Sequence, residues 1–279
     1  MSGRPLRQSS GRAYAEVIGD PIAHSKSPLI HNFWLKKLGI DAEYSACHVR
    51  AEELSDYFAQ RRRDAEWRGC NVTAPHKQTC LALLDGVHRK AREVGAVNTI
   101  TVGKDHGLHG RNTDVDGIWR TLDAMESRDG KKVVVIGAGG AARAMCAALV
   151  PLSPSNVTIV NRSPDKASSL LNEFGFSGEA RGFGILPRAD LIVNASPLGM
   201  NGQPQLSVSL ERQGPEAFVF DMVYAPQETP LLAEAKARGL SATNGLTMLV
   251  DQAAVAFGCF FSASAPREHD AELRALLTA

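Results

Sequence analysis

Residues 132–136 read KVVVI, and Gly137-Ala138-Gly139-Gly140-Ala141-Ala142 follows directly. A tight β-branched strand thus meets a glycine turn, and the turn runs into the helical stretch AARAMCAALV, which Pro151 ends. The first glycine permits the tight turn, and the second lets backbone N–H groups approach a pyrophosphate. Ala142 is small enough for helix and strand to pack closely, while the helix N-terminus faces the anion. A bare glycine motif also marks ordinary turns. The strand before it, the helix after it and the next βα unit make it a dinucleotide site.

The end of the next strand decides which dinucleotide. Residues 157–160 read VTIV and lead into Asn161-Arg162-Ser163, with Lys166 one turn later. A site for NAD places Asp or Glu there to bond the ribose 2′-hydroxyl. Arg162 and Lys166 instead suit a 2′-phosphate, which a carboxylate would repel. At roughly 1.5–3 kcal/mol per charge-assisted hydrogen bond, the two favour NADP by about two to three decades. The competing reading leaves both as solvated cations, with Asp165 an ordinary acid at a helix N-terminus.

Working outward, helices over 164–174 and 230–238 alternate with strands over 190–194, 217–221 and 240–243. This rhythm predicts a Rossmann-like, doubly wound parallel sheet over residues 114–246. Upstream, from Tyr14, short apolar runs again alternate with amphipathic stretches. They predict strands over 15–18, 44–49 and 69–73 and helices over 51–63 and 116–125. A further helix starts with Ser27 as N-cap and Pro28 at its first position and stops at Gly39. Pro75 opens another, and 97–102 with 108–112 form a hairpin around Lys104-Asp105-His106-Gly107. The polar segment 126–131 resets the pattern. After Gly245, helices over 248–261 and 267–277 return to the first domain. The chain therefore reads as α/β in two domains: an N-terminal α/β substrate domain from 13–113 plus 247–279, and the dinucleotide domain 114–246. Residues 1–12 read as a flexible arm.

The 279 residues suit two domains, and 44% hydrophobic with 22% charged residues exclude long disorder. A net charge of +1 removes the electrostatic case for nucleic acid or an anionic membrane. No apolar run approaches the roughly 18 residues of a membrane span, and the first residues lack the apolar core of a signal peptide. The five cysteines, Cys47, Cys70, Cys80, Cys146 and Cys259, are odd in number and contain no CxxC pair. They predict neither disulfides nor a metal site, but small core side chains in a cytoplasmic protein. His24, His31 and His76 have spacings that suit no metal and read as packing or supporting groups.

Several polar segments fall where strands of the first domain end: Ser25-Lys26-Ser27, NVTAPHK at 71–77, GAVNT at 95–99 and Asn112-Thr113-Asp114. Ligands bind at such ends in open α/β sheets. The chemistry they offer is capture of a small polyhydroxylated carboxylate beside a lysine–carboxylate pair. Carbonyl reduction needs a hydride donor and a proton donor, and a lysine can supply the proton.

At this point the chain resembles the shikimate dehydrogenase family. The run GDPIAHSKSP at 19–28, with His31 after it, is similar to the family's N-terminal signature. NVTAPHK, GAVNT, NTDVDG, GAGGAARA, NRS, NASPLGM, DMVY, TPLL and NGLTMLVDQAA follow in the family's order, covering the chain from about Tyr14 onward. The resemblance implies Lys77 as the catalytic lysine and Asp114 as its paired carboxylate. It implies Ser25, Ser27 and Tyr224 on the substrate carboxylate and Thr73, Asn98 and Gln252 on ring hydroxyls. Gly137, Ala138, Gly139, Gly140, Ala141, Asn161, Arg162, Ser163, Lys166, Met222 and Gly245 match cofactor positions. The implied reaction is reversible, NADPH-dependent reduction of 3-dehydroshikimate to shikimate, on the route to chorismate and the aromatic amino acids. The implied partner is that small molecule alone, with the protein a monomer or homodimer.

Two other readings stand beside it. One is a quinate/shikimate dehydrogenase; the other is a catalytically silent NADP-binding regulatory paralogue, against which the complete Lys77 and Asp114 argue. Ser27 also serves as a cap, and the two roles are compatible. A helix opened by Pro75 would lower the Lys77 pKa through its dipole, whereas an ionised Asp114 would raise it.

Overall fold

The computed structural model describes residues 11–123, 125 and 129–279. Residues 1–10 of the predicted arm and 126–128 of the polar segment lie outside the described residues. Arg12, at the arm's end, pairs with Asp41 at 2.6 Å on the surface. The chain divides into two compact units, Met1–Thr113 with Ala253–Ala279, and Asp114–Gln252. The fold is α/β in both.

The first unit begins β1 (Ala13–Gly19), α1 (Ser27–Leu38), β2 (Ala42–His48), α2 (Leu54–Arg61) and β3 (Trp67–Val72). It continues with β4 (Gly86–Val87), α3 (Arg89–Val94), β5 (Thr99–Val102) and β6 (Leu108–Arg111). The sheet order is β2-β1-β3-β5-β6-β4. β1 runs parallel to β2 and β3, whereas β5 is antiparallel to β3 and β6. The hairpin is present, closed by Gly103 N–H to Gly107 carbonyl at 2.8 Å with His106 at φ 61°. One face of the sheet is filled by Ile18, Phe58, Trp67 and Ile100, the other by Ala15, Val17, Ala256 and Phe260.

The second unit runs α4 (Asp114–Leu122), β7 (Lys132–Ile136), α5 (Gly140–Leu149), β8 (Asn156–Val160), α6 (Pro164–Phe174) and β9 (Gly178–Arg181). Then come β10 (Gly184–Ile185), β11 (Leu191–Asn194), β12 (Val208–Ser209), β13 (Phe218–Asp221), α7 (Pro230–Ala237) and β14 (Ser241–Asn244). Its main sheet, β14-β13-β11-β7-β8-β9, is parallel throughout. Counted within the sheet this is the order 6-5-4-1-2-3, the doubly wound arrangement, and β7 sits at the switch point. α8 (Leu246–Phe261) spans the boundary between the units, and α9 (Asp270–Thr278) ends the chain.

Two expectations change, and one strand is new. Ser27 is not the cap of α1 but its first residue; Lys26 is the cap and makes no side-chain capping bond. Pro75 does not open a helix, because tertiary bonds claim the segment. Thr73 N–H bonds the Ile18 carbonyl, the Lys77 carbonyl accepts from Val97, and a short 3-10 turn follows at Thr79–Leu83. The predicted dipole effect on Lys77 therefore has no helix behind it. Finally, β9 carries only exposed or half-exposed residues and no apolar run. It is an edge strand made by pairing with β8, which hydropathy could not reveal. Gly39 and Gly175 end their helices in the left-handed conformation, as glycine permits.

Candidate active site

In the first unit, the polar segments meet because of strand direction. β1 and β3 end at Gly19 and Val72, while antiparallel β5 begins at the same edge, with Asn71 in register with Thr99. β6 returns to that edge, where Asn98 N–H bonds the Arg111 carbonyl at 3.0 Å and Thr113 follows. Segments dozens of residues apart so share one rim.

Ser25 and Ser27 stand at the N-terminus of α1. The Ser25 hydroxyl oxygen accepts the Ser27 N–H at 3.3 Å; Ser25 is half-buried and Ser27 buried. A helix N-terminus with two hydroxyls favours a carboxylate. Thr73 and Lys77, both half-buried, flank a tight turn in which His76 N–H bonds the Thr73 carbonyl at 3.0 Å. The His76 ring is buried, with Nε2 at 2.6 Å from the Val49 carbonyl oxygen, and the Asp20 N–H bonds the Ala74 carbonyl at 3.1 Å. The turn is thus tied to β1, to the end of β2 and to the start of β5. Asn98 is buried, its Oδ1 accepting the Thr113 N–H at 2.7 Å.

His31 has no part in acid–base work. It is fully buried, stacked on Tyr44 with centroids 4.0 Å apart, and neither ring nitrogen has a hydrogen-bond partner. Burial drives its pKa down to about 3, so it is neutral. Among the described residues no group of histidines, cysteines and acids could hold a metal ion. None of the five cysteines, all among the described residues, is disulfide-bonded. Burial pushes the Cys80 and Cys146 thiols up to about 12, which suits core side chains; Cys259 is only half-buried. Among the described residues no helix is long and apolar enough to cross a membrane.

In the second unit the glycine turn caps β7. Gly137 has φ +111°, where a side chain is strained, and an added Cβ would lie a tight 3.0 Å from the Ala195 carbonyl oxygen. Gly139 caps α5 in an extended conformation, and the space its Cβ would take is open. Ala138, Gly140 and Ala141 complete a side-chain-poor cradle at the α5 N-terminus, which fits a diphosphate. Asn161 closes its own turn, Nδ2 donating to the Ser163 carbonyl at 3.0 Å, and Ser163 precedes α6. Arg162 and Lys166 are exposed, and among the described residues neither is ion-paired to a carboxylate.

Met222 and Tyr224 follow β13, half-buried, and Gly245 follows β14, where an added Cβ would lie 2.1 Å from the Met222 carbonyl oxygen. Asp114 opens α4 and is buried; Gln252, buried on α8, donates from Nε2 to the Leu249 carbonyl at 2.9 Å. Three residues that carry this edge had no role in the sequence reading. Asp221 accepts from Thr229 at 2.5 Å, from Asn194 at 2.9 Å and from the Val223 N–H at 3.0 Å. Burial pushes the Asp221 carboxyl up, and these three bonds oppose it. The cluster binds the NASPLGM and DMVY segments together; both motifs were visible, but not which of their residues hold each other.

Comparison with known proteins identifies the family. A family model described as shikimate dehydrogenase substrate binding domain matches residues 17–100, and one described as shikimate / quinate 5-dehydrogenase matches 121–196. The shikimate dehydrogenase (NADP(+)) of Sphingopyxis alaskensis is 49% identical over 267 residues, 95% of this chain and 97% of the relative. The shikimate 5-dehydrogenase of Thermus thermophilus, solved with NADP(H) and shikimate, is 35% identical with a TM-score of 0.83, covering 95% of this chain and 99% of its own. The ligand-free 5-ketofructose reductase of Gluconobacter sp. strain CHM43 is 30% identical, also with a TM-score of 0.83 and the same coverage. Matched along nearly its whole length in sequence and in fold, the chain belongs to the shikimate dehydrogenase family.

Proposed function

We propose that this protein is an NADP-dependent oxidoreductase that reduces 3-dehydroshikimate to shikimate, reversibly, on the route to chorismate and the aromatic amino acids. The observation that carries the reading is the shared rim of the first unit, where Ser25, Ser27, Thr73, Lys77 and Asn98 come together from three chain segments. The family relatives named for NADP-dependent shikimate oxidation support it. NADPH, held at the α5 N-terminus and by Arg162 and Lys166, supplies the hydride. Lys77 gives a proton to the oxygen of the carbonyl being reduced, and takes it back in the reverse direction. Asp114 pairs with Lys77 and orients it. Ser25 and Ser27, with Tyr224, hold the substrate carboxylate; Thr73, Asn98 and Gln252 hold ring oxygens. Residues 13–113 with 247–279 act as the substrate domain and 114–246 as the cofactor domain. In this reading the protein acts in the cytoplasm, as a monomer or homodimer.

The similarity to a 5-ketofructose reductase favours a second reading, in which the ketone is a neutral sugar. Two hydroxyls at a helix N-terminus support a carboxylate-bearing substrate instead. NADPH absorbance followed with 3-dehydroshikimate, 3-dehydroquinate and 5-ketofructose separates the readings. General acid catalysis contributes about 10²–10⁴-fold, so Lys77→Ala is expected to lose at least about two decades of turnover with NADPH affinity intact. Near-normal turnover by Lys77→Ala would remove it from the chemistry.

A further inference from the structure

Tyr44 lies within β2, fully buried, and belongs to none of the sequence motifs. Asn32 of α1 grips its backbone twice: Nδ2 donates to the Tyr44 carbonyl at 2.7 Å, and Oδ1 accepts the Tyr44 N–H at 2.9 Å. His31 stacks on its ring with the planes 5° apart. Its hydroxyl donates to Asn71 Oδ1 at 2.5 Å.

Backbone groups force the direction of every bond beyond that point. Asn71 Nδ2 donates to the Asn98 carbonyl at 3.1 Å, so Asn71 Oδ1 must be the acceptor that faces Tyr44. Asn71 Nδ2 also donates to Thr99 Oγ1 at 3.0 Å, and that hydroxyl donates to Asn98 Oδ1 at 3.1 Å. Asn98 Oδ1 in turn takes the Thr113 N–H, which can only donate, so the Asn98 amide has one orientation. The relay ends on the residue before Asp114.

We infer that Tyr44 is a positioning residue for the reaction proposed above, acting through Asn71 and Thr99 on the side chain of Asn98 and on Thr113; the inference rests on that reading of Lys77, Asn98 and Asp114. Tyr44 joins three elements that carry the site. α1 presents Ser25 and Ser27 at its N-terminus, β3 runs into Thr73 and Lys77, and β5 starts at Asn98. All the relay atoms are buried, where a bond is strong and an unpaired acceptor is costly. Slack here leaves each group present but out of line, and misplacement of this kind lowers rate before it unfolds a protein.

Tyr44→Phe tests this. It keeps the ring, the His31 stack and the Asn32 grip, and removes one hydroxyl. Turnover of 3-dehydroshikimate is expected to fall about tenfold, with the KM for NADPH unchanged. If Tyr44 acts through Asn98, the Tyr44→Phe/Asn98→Ala double variant is no slower than Asn98→Ala. Additive losses overturn the inference, as does Tyr44→Phe turnover within about twofold of the parent. Should Tyr44→Phe fail to fold, Thr99→Val is expected to lose turnover and Thr99→Ser to keep it; equal loss in both overturns the relay. Lys77→Ala, measured alongside, separates the two ideas. Parent-like turnover there defeats the proposed role of Lys77, on which the inference rests, whereas a slow Lys77→Ala beside an unimpaired Tyr44→Phe defeats only the role of Tyr44.

Discussion

The two units build their candidate ligand edges from opposite materials. In the second, the edge after β7 and β8 is made by what is missing: glycines at Gly137 and Gly139, a helix N-terminus and two exposed cations. In the first, the rim is made of buried side chains that hold one another, from Tyr44 through Asn71 and Asn98 to Thr113. A diphosphate is a large, generic anion, and backbone N–H groups with surface charge suffice for it. A small polyhydroxylated ring demands donors and acceptors in fixed orientation, and only a buried network sets those.

If that contrast is right, the two edges respond differently to perturbation. The largest effect belongs to the exposed edge: Arg162→Ala combined with Lys166→Ala is expected to erase about two to three decades of preference for NADP over NAD, with NAD turnover little changed. Michaelis constants for both cofactors measure it. A preference that survives both substitutions would place the discriminating groups elsewhere.

The next effect belongs to the buried unit and comes through pH. His31, held neutral with a pKa near 3, refuses a proton that the unfolded chain accepts below about 6.5. Its contribution to stability is thus full above pH 6.5 and is lost as pH falls from there toward 3. At pH 5 the loss is about 2 kcal/mol, from 1.36 kcal/mol per pKa unit. His31→Phe should therefore narrow the difference in urea stability between pH 8 and pH 5 by about that amount. An unchanged difference would mean that the buried ring is protonated after all.

The smallest effect sharpens the substrate side. Ser25→Ala removes one hydroxyl from the α1 N-terminus and should raise the substrate KM about tenfold, the worth of one hydrogen bond to a charged group, with turnover less affected. Ser25→Ala together with Ser27→Ala should weaken binding further. Unaltered KM in the double variant would make the pair a helix-start feature alone.

The same contrast explains what could be read in advance. The parallel second unit was legible because each βα step writes a local pattern: KVVVI into GAGGAA and VTIV into NRS. β9 escaped because GEAR has no hydrophobic signature and exists by pairing with β8. Pro75 misled, since a proline that can start a helix can equally sit in a turn; long-range bonds from Ile18 and Val97 decided. Ser27 misled by one position, because a cap is defined by backbone angles that sequence does not carry.

The sequence by itself determined the α/β class, the dinucleotide turn and the chemical groups of the rim, because those follow from local periodicity, steric demands on glycine and the order of the motifs. Only the tertiary structure decided that Tyr44, Asn71 and Thr99 stand behind Asn98, and that Asp221 ties Asn194 to Thr229. Those partners lie up to 28 residues apart along the chain and leave no periodic trace. A buried polar group takes whichever partner the packed strands bring within reach, so hydrogen-bond pairing becomes defined only once strand order and register exist.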